Sequence, residues 1–293
     1  PGRRCEQAIL KLLEYFNDGY TWIVDIDLEK FFDNVPQDRL MSLVNNIIHD
    51  GDVESLIRKY LKAGVMVKGK YEETELGTPQ GGNLSPLLSN IMLNELDREL
   101  EARGLRFTRY ADDCVIVVGS EASAKRVMRT VTEWIERKLG LKVNATKTCV
   151  TKPGKLKYLG FGFWKGEGGW GARPHQDSIK RFKAKLKKLC KRRWSIDMDY
   201  RIRKLNEVIR GWINYFAIAD MRKATHRLDE HLRVMMRVVI WKQWKVPSRR
   251  EWGLRKLGVN QKDAHRFSYI KGYMKAVRTP AVRNAISKEI LTR

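Results

Sequence analysis

The stretch Arg109–Gly119, "RYADDCVIVVG", places two adjacent aspartates, Asp112 and Asp113, within an apolar run typical of β-structure. Two short β-prone runs flank the pair with no residues to spare. The segment therefore predicts a hairpin with the two aspartates at a two-residue turn. Asp suits such turns because it tolerates a left-handed backbone, so on its own the pair indicates no more than a turn.

A second acidic strand end stands far upstream, in "IVDIDLEKFFD". Asp25 and Asp27 share one face of this predicted strand because side chains alternate along a strand. If the two strands are neighbours, three carboxylates meet at one sheet edge and repel one another. Two Mg²⁺ ions about 3.5–4 Å apart would stabilise that cluster and would catalyse in-line phosphoryl displacement. Hard cations of this kind prefer oxygen ligands.

The composition points to a polyanionic partner. The chain has 293 residues, and its 58 Lys and Arg against 34 Asp and Glu give a net charge of +24. Such an excess favours nucleic acid, with an anionic membrane surface as the alternative. No apolar run approaches the roughly 18 residues of a membrane span, and neither a signal peptide nor a lipidation motif is visible, so we expect no membrane association. The four cysteines lack the spacing of a zinc site or a disulfide framework.

The element pattern changes at His175. Before it, helices alternate with separated strands and hairpins, which predicts an α+β fold with an antiparallel sheet. After it, "SIKRFKAKLKKLCKRRW" and "LNEVIRGWINYF" show the period of amphipathic helices. Nine cations lie between Lys180 and Arg193 with no acid among them. They are either a solvated helix face or, as we favour, a surface for nucleic-acid phosphates. The tryptophans of this part have the spacing of core residues.

Five segments, taken in order, resemble the palm motifs of reverse transcriptases. They are "DLEKFFD", "TPQGGNLSPLLSN", "YADD", "LGLKVNATKT" and "YLGFGF". "LNEVIRGWINYF" and the basic helices after it resemble the thumb or maturase segment of group II intron-encoded reverse transcriptases. The resemblance implies a reverse-transcriptase palm with partial fingers at 1–172, an all-α basic thumb/maturase (X) bundle at 173–257, and a possible DNA-binding tail at 258–293.

The same resemblance implies an RNA-directed DNA polymerase that uses two Mg²⁺ ions, dNTPs, an RNA template and a DNA primer. It also implies binding of group II intron RNA, to assist splicing and mobility, in the bacterial cytoplasm or an organelle. Two alternatives stay open: a maturase or RNA chaperone without polymerisation, or an intron-derived enzyme recruited to DNA repair or to a CRISPR-type locus. The family's fingers region precedes "PGRRC", and neither it nor an endonuclease domain is recognised here. We therefore expect weak or no synthesis by this chain alone.

The resemblance also implies roles for individual residues. The metal ligands would be Asp27, Leu28 through its carbonyl, Asp112 and Asp113, and Lys147 would assist proton delivery to pyrophosphate. The incoming nucleotide would meet Phe31, Phe32, Gln80, Gly81 and Ala111. The primer would meet Tyr110, Tyr158, Leu159 and Gly160. Other nucleic-acid contacts would come from Lys180, Lys183, Lys187, Lys191, Arg192 and Arg193.

Several of these residues have an ordinary structural reading as well. Phe32 could pack in the core instead of acting as a gate against a 2′-hydroxyl, and Lys147 could be a solvated charge. Asp25 is interpreted as a structural neighbour of Asp27, and Asn144 as the residue that shapes the turn before Lys147.

Overall fold

The computed structural model describes residues 2–67, 70–72, 76–79 and 81–292. The chain divides into two compact units, Pro1–Ala172 and Arg173–Arg293. The first combines helices with antiparallel sheets, and the second is helical after its first residues. The predicted α+β palm followed by an all-α basic bundle is therefore confirmed as the fold class. No helix in the described part of the chain is long and apolar enough to cross a membrane.

The strands are short. They are β1 (Trp22–Ile26), β2 (Val65–Val67), β3 (Lys70–Glu72), β4 (Arg106–Tyr110), β5 (Asp113–Val118), β6 (Cys149–Thr151), β7 (Lys157–Tyr158), β8 (Phe161–Gly166) and β9 (Gly169–Pro174). The first-unit helices are α1 (Cys5–Asn17), α2 (Phe31–Asn34), α3 (Gln37–Asn45), α4 (Gly51–Leu61), α5 (Ser85–Ala102) and α6 (Glu121–Trp134). The second-unit helices are α7 (Gln176–Leu189), α8 (Met198–Tyr215), α9 (Arg222–Gln243), α10 (Pro247–Lys256), α11 (Gln261–Ser268), α12 (Tyr273–Arg278), α13 (Pro280–Ala285) and α14 (Lys288–Thr292).

The central sheet has the strand order β4-β5-β1-β6, with antiparallel pairing throughout. Val24 and Ile26 of β1 and Ile116 of β5 are buried on one face, in a core shared with residues of α3, α5 and α6. On the other face Ile23 and Val115 are also buried. Alternation along β1 and β5 therefore gives a sheet covered on both sides, which holds the acidic strand ends in a rigid frame.

The second unit is built around α9. Phe182 and Leu186 of α7 are buried against α8 and α9 as their spacing predicts. Each such side chain contributes roughly 2 kcal/mol of burial energy. Trp212 stacks on Phe182 with ring centroids 4.6 Å apart, and Trp241 is fully buried. Trp194, in contrast, is partly exposed, so the expected core role does not hold for it.

Residues after Gly258, expected as a possible DNA-binding tail, form α11 to α14. Ala264, Val277 and Ile286 share a buried core with Trp241 of α9 and Leu254 of α10. The boundary expected at 257 and 258 therefore runs through one core, because the preceding helices leave an apolar surface that the last ones cover.

Candidate active site

The hairpin between β4 and β5 presents the predicted acidic pair, with one shift in register. Tyr110 pairs with Asp113, so the two turn residues are Ala111 and Asp112, and Asp113 is the first residue of β5. This corrects the expectation that Asp112 and Asp113 form the turn together. Ala111 takes the positive φ (54°) that such a turn requires, so the two carboxyl groups stand on different backbone elements.

The acidic end of β1 lies beside that hairpin. Ile26 pairs with Cys114 and Asp25 with Val115, so the same register, continued by one residue, sets Asp27 opposite Asp113. Residues that face each other in an antiparallel pair point to the same side of the sheet. Asp25, Asp27 and Asp113 therefore share one face at one end of two adjacent strands, as the sequence predicts.

Electrostatics reflect this crowding. Burial, together with the nearby charges of Asp113 and Asp27, raises the pKa of Asp25 to about 6. Burial likewise raises the pKa of Asp113, with Asp112 and Asp27 adding to the effect and Lys147 opposing it. The carboxyl groups therefore influence one another, and a nearby cation would stabilise their charged forms.

Lys147 supplies one such cation. Its Nζ lies 3.4 Å from both Asp27 carboxylate oxygens. The turn that carries it is organised by Asn144, whose side-chain oxygen accepts hydrogen bonds from the backbone of Thr146 and Lys147. The Asn144 N–H donates to the Asp27 carbonyl at 2.8 Å, and the Asp27 N–H donates to Thr148 Oγ1 at 3.2 Å. Sequence reasoning identified Asn144 as the turn residue, and Thr148 was missed.

Leu28 continues the chain from Asp27 and forms an isolated bridge with Val143. The hydrogen bonds that flank this bridge come from Asn144 N–H to the Asp27 carbonyl and from Glu29 N–H to the Lys142 carbonyl. The Leu28 carbonyl takes no part in these two bonds. Its side chain is buried, so only the backbone of Leu28 can serve a ligand.

The donors at this sheet edge suit a hard cation. Asp27, Asp112 and Asp113 offer the carboxylate oxygens that Mg²⁺ prefers. Among the residues described, however, no three acidic, histidine or cysteine side chains are gathered into a ready metal site. Asp27 instead contacts Lys147. The donor chemistry therefore fits a divalent ion, and binding would require the side chains to rearrange.

The predicted nucleotide side of the site combines α2 with the loop before α5. Phe31 is 3% exposed, in the core, and its ring packs edge-on against Phe32 at 5.4 Å. This burial corrects the expectation that the Phe31 side chain meets a nucleotide. Phe32 is only partly buried, and its carbonyl accepts a 2.6 Å hydrogen bond from Thr78 N–H. The loop is thereby fixed to the residue predicted to be the gate.

Two glycines of this loop have different reasons to lack a side chain. Gly81 has φ +83° with open space around its missing Cβ. Ala111, in the hairpin turn, is exposed. Gly82 lies against Tyr60, whose Oη would clash with a Cβ there. Gly82 therefore leaves room for the Tyr60 side chain. Gln80 lies outside the described residues.

An ion pair missed by the sequence reasoning holds the hairpin turn. Arg109 Nε and Nη2 donate to the two carboxylate oxygens of Asp97 on α5, at 2.7 and 2.5 Å. Arg109 Nη1 donates to the Ala111 carbonyl at 2.8 Å and to Asn90 Oδ1 at 3.2 Å. The Arg109 side chain is 11% exposed. The Arg109 guanidinium therefore fixes Ala111, the residue before Asp112, to the long helix α5.

Residues predicted to meet the primer divide into two groups. The Tyr110 ring is 44% exposed beside the turn, available for contact. Tyr158 is 2% exposed, and its hydroxyl donates to the carbonyls of Thr108 and Asp113 at 3.4 Å. Burial raises its pKa. The Tyr158 ring therefore does not contact a primer directly, as expected, but supports the β4–β5 hairpin from beneath. Leu159 and Gly160 form the two-residue turn between β7 and β8, both at positive φ.

Strained backbone is concentrated around these elements. Within the described chain, Lys30, Ala111 and Leu159 are the non-glycine residues with positive φ, at 42°, 54° and 47°. Lys30 leads into α2, and the other two are hairpin turns. Left-handed backbone costs an ordinary residue about 1–2 kcal/mol. All three turns border the acidic sheet edge or its supporting hairpin, a distribution often associated with functional sites.

The six predicted nucleic-acid contacts lie in the second unit, on or just after α7. All are exposed: Lys180, Lys183, Lys187, Lys191, Arg192 and Arg193. The segment after α7 is fixed by the buried Arg201, which donates to the carbonyls of Leu189 and Trp194. The row of exposed cations therefore continues from α7 into the segment after it, whose backbone Arg201 holds in place.

Comparisons with known proteins agree with this geometry. The family described as "Reverse transcriptase (RNA-dependent DNA polymerase)" matches residues 1–163, and "Group II intron, maturase-specific domain" matches residues 179–258. The Lactococcus lactis group II intron-encoded protein LtrA is 40% identical over 113 residues, which cover 39% of this chain and 19% of that protein. An uncharacterized 91 kDa protein in the Schizosaccharomyces pombe cob intron is 28% identical over 221 residues, covering 55% of this chain and 27% of that protein.

A retron reverse transcriptase of Escherichia coli, Ec86, is 26% identical over 217 residues, covering 71% of this chain and 58% of that protein. The chain thus spans about a fifth to a quarter of the length of the two intron proteins. With more than half of its residues matched by one family, the chain belongs to the reverse transcriptases, and a group II intron maturase-specific domain follows its palm.

Proposed function

We propose that the protein is an RNA-directed DNA polymerase that adds deoxynucleotides to a primer 3′-hydroxyl on an RNA template. The observation that carries this proposal is that Asp27 directly follows β1 and Asp113 begins the adjacent strand β5 at the same end of the sheet, with Asp112 in the turn between β4 and β5. Carboxylates from separate strands are the donors that a two-metal nucleotidyl transfer needs.

Asp27, Asp112 and Asp113, with the Leu28 carbonyl, would hold two Mg²⁺ ions. Bound there, the ions would lower the pKa of the 3′-hydroxyl and stabilise the charge on the leaving pyrophosphate. The raised pKa values of Asp25 and Asp113 support this assignment, because they reflect burial and, in smaller part, the repulsion of neighbouring carboxylates, and a bound cation would offset both. Asp25 is assigned a structural role next to Asp27.

Lys147 would protonate the leaving pyrophosphate. Its present contact with Asp27 places an ammonium group at the acidic edge, and the Asn144 turn fixes the backbone from which it extends. A side chain that is mostly solvent-exposed can turn from the carboxylate to a phosphate at little cost.

Phe32, the loop with Gln80 and Gly81, and Ala111 would enclose the incoming nucleotide. The partly exposed Phe32 ring, held by its neighbour in the core, would clash with a 2′-hydroxyl and so select deoxynucleotides. Tyr110, Leu159 and Gly160 would contact the primer, with Tyr158 beneath them.

The second unit would bind RNA through the exposed cations of α7. The match of residues 179–258 to the maturase-specific domain of group II introns favours intron RNA as a partner, with support of splicing and mobility as a second function. Phosphate contacts of this kind give affinity and orientation without reading sequence. Residues 258–293 could add DNA contacts. Such a protein would act in the bacterial cytoplasm or in an organelle.

The test is Mg²⁺-dependent primer extension on an RNA template by the full-length protein. Asp112→Ala should reduce synthesis at least 10³-fold, on the order expected for lost transition-state charge stabilisation. Glu167→Ala, which removes an exposed acid from the loop between β8 and β9, is the matched control and should leave synthesis unchanged.

RNA binding and splicing support should survive Asp112→Ala if the two functions are separate. Loss of RNA binding together with synthesis, accompanied by a lower melting temperature, would mean that the aspartate serves folding. Normal synthesis by Asp112→Ala would refute the polymerase assignment.

A further inference from the structure

A groove of about 570 Å³ lies in the second unit, lined by residues of α7, α9 and α12 and by the segment after α7. Its rim is cationic. The rim residues are Lys180, Lys183, Lys187, Lys191 and Arg192. No acidic residue is among the described residues that line it. The volume lies in the range of sites for small organic ligands.

The floor of the groove is apolar. Met235 and Val238 of α9, Met274 of α12 and Cys190 form it. Burial raises the pKa of the Cys190 thiol to about 11, so the thiol stays neutral. Met274 is 46% exposed, so part of its apolar side chain is open to solvent in a groove lined by five cations. Thioether side chains adapt their shape and form favourable contacts with aromatic rings.

The rim has the spacing of a surface for a polymer. Lys180, Lys183 and Lys187 recur on one helix face over seven residues, or about 10 Å. Phosphates along one strand of a nucleic-acid helix are about 3.4 Å apart along its axis, so this length matches several of them. Arg192 lies over the Tyr273 ring at 4.5 Å, which fixes the rim to α12 beside the floor.

We propose that this groove holds an unpaired nucleotide of RNA, with its base on the apolar floor and its phosphates on the cationic rim. The inference rests on the RNA binding proposed above and adds the form of RNA recognised there. A fully paired helix would reach only the rim, because its bases are stacked inside. An unpaired base has a free aromatic face, which is what an apolar floor between cations can bind. His231, whose pKa burial and the neighbouring Lys183 and Lys187 lower, adds a neutral imidazole for hydrogen bonding.

The experiment measures binding of three fluorescein-labelled RNAs to the full-length protein by anisotropy. One is a perfect duplex of 20 base pairs, the second carries a single bulged adenosine, and the third carries an abasic residue at the bulge. We expect the adenosine bulge to bind about tenfold more tightly than the abasic bulge, because only the adenosine brings an aromatic face to the thioether side chains of the floor.

Two variants separate floor from rim. Met274→Glu places a charge on the exposed floor and should abolish the preference for adenosine, while Val246→Glu, at an exposed apolar residue outside the groove lining, should keep it. Lys183→Gln should weaken the binding of all three RNAs alike, and it should lower the slope of log affinity against log salt concentration by about one.

Equal affinity for the adenosine and abasic bulges, or a preference that survives Met274→Glu, would overturn the inference while leaving RNA binding intact. If none of the three RNAs binds, the RNA-binding function proposed above is itself refuted. Binding of a labelled acidic amphipathic peptide that depends on Met274, without any base preference, would identify the groove as a protein-docking surface and refute the nucleotide.

Discussion

Gly77 is the position at which one added methyl group would most disturb the predicted nucleotide side of the site. A Cβ there would lie 2.6 Å from the Phe32 carbonyl oxygen and 2.8 Å from that of Asp33. Both atoms belong to backbone, so they cannot turn aside. Gly77 also has φ +86°, a conformation that costs other residues about 1–2 kcal/mol.

The magnitude of Gly77→Ala follows from these contacts. Relief of the clash requires the loop to lift, which breaks the Gly77 N–H bond to the Val35 carbonyl and the Thr78 N–H bond to the Phe32 carbonyl. Two such bonds contribute about 1 kcal/mol each. With the φ strain, the free energy of unfolding should fall by about 3–4 kcal/mol, and the melting temperature by roughly 10 °C.

Gly81→Ala is the matched control in the same loop. Gly81 has φ +83° and no atom within 4 Å of its missing Cβ, so it carries the strain without the clash. Its substitution should cost only about 1–2 kcal/mol. Urea denaturation of both variants, followed by circular dichroism, measures the difference of about 2 kcal/mol. Equal losses would refute the reasoning, because they would mean that docking of the loop on Phe32 contributes nothing.

Three further outcomes follow from the site. Arg109→Gln leaves the Asp97 carboxylate without its buried partner, so thermal unfolding should show that the free energy of unfolding falls by about 3 kcal/mol. A fall of less than about 0.5 kcal/mol, the size typical of surface ion pairs, would mean that the pair does not hold the hairpin turn. Tyr158→Phe removes only two long hydrogen bonds, so it should lower the free energy of unfolding by about 1 kcal/mol and leave primer affinity unchanged. Weaker primer binding by this variant would show that Tyr158 contacts the primer directly. Burial and like charges raise the pKa of Asp25 from 3.8 to about 6, so the folded state binds its proton more tightly and stability should fall as pH rises from about 4 to 6. Asp25→Asn should flatten that decline in urea titrations, and an unchanged pH profile would show that Asp25 is not its source.

The sequence predicted the elements that depend on local pattern. Alternation identified β1 and β5, and the position of carboxylates at their ends predicted the shared edge, because strand side chains repeat every two residues. The Asn144 turn was predictable for the same local reason, since Asn hydrogen-bonds to the backbone two and three residues ahead.

Other features depend on packing that no local pattern encodes. The shift of the turn from Asp112–Asp113 to Ala111–Asp112 depends on which residue accepts a positive φ, and Ala is not favoured there. The Arg109–Asp97 pair joins a strand to a helix whose relative position only the folded core fixes. Tyr158 matched a motif by identity, but hairpin geometry directs its ring inward.

The three strained turns at Lys30, Ala111 and Leu159 bear on any attempt to make this protein more heat-resistant. Glycine or asparagine at these sites would be the obvious design choice, since each could remove about 1 kcal/mol of backbone strain. Each of the three turns also positions a part of the acidic edge or its surroundings, so relaxing it would exchange the alignment of that edge for a higher melting point. A designer would do better to begin with the helices of the second unit.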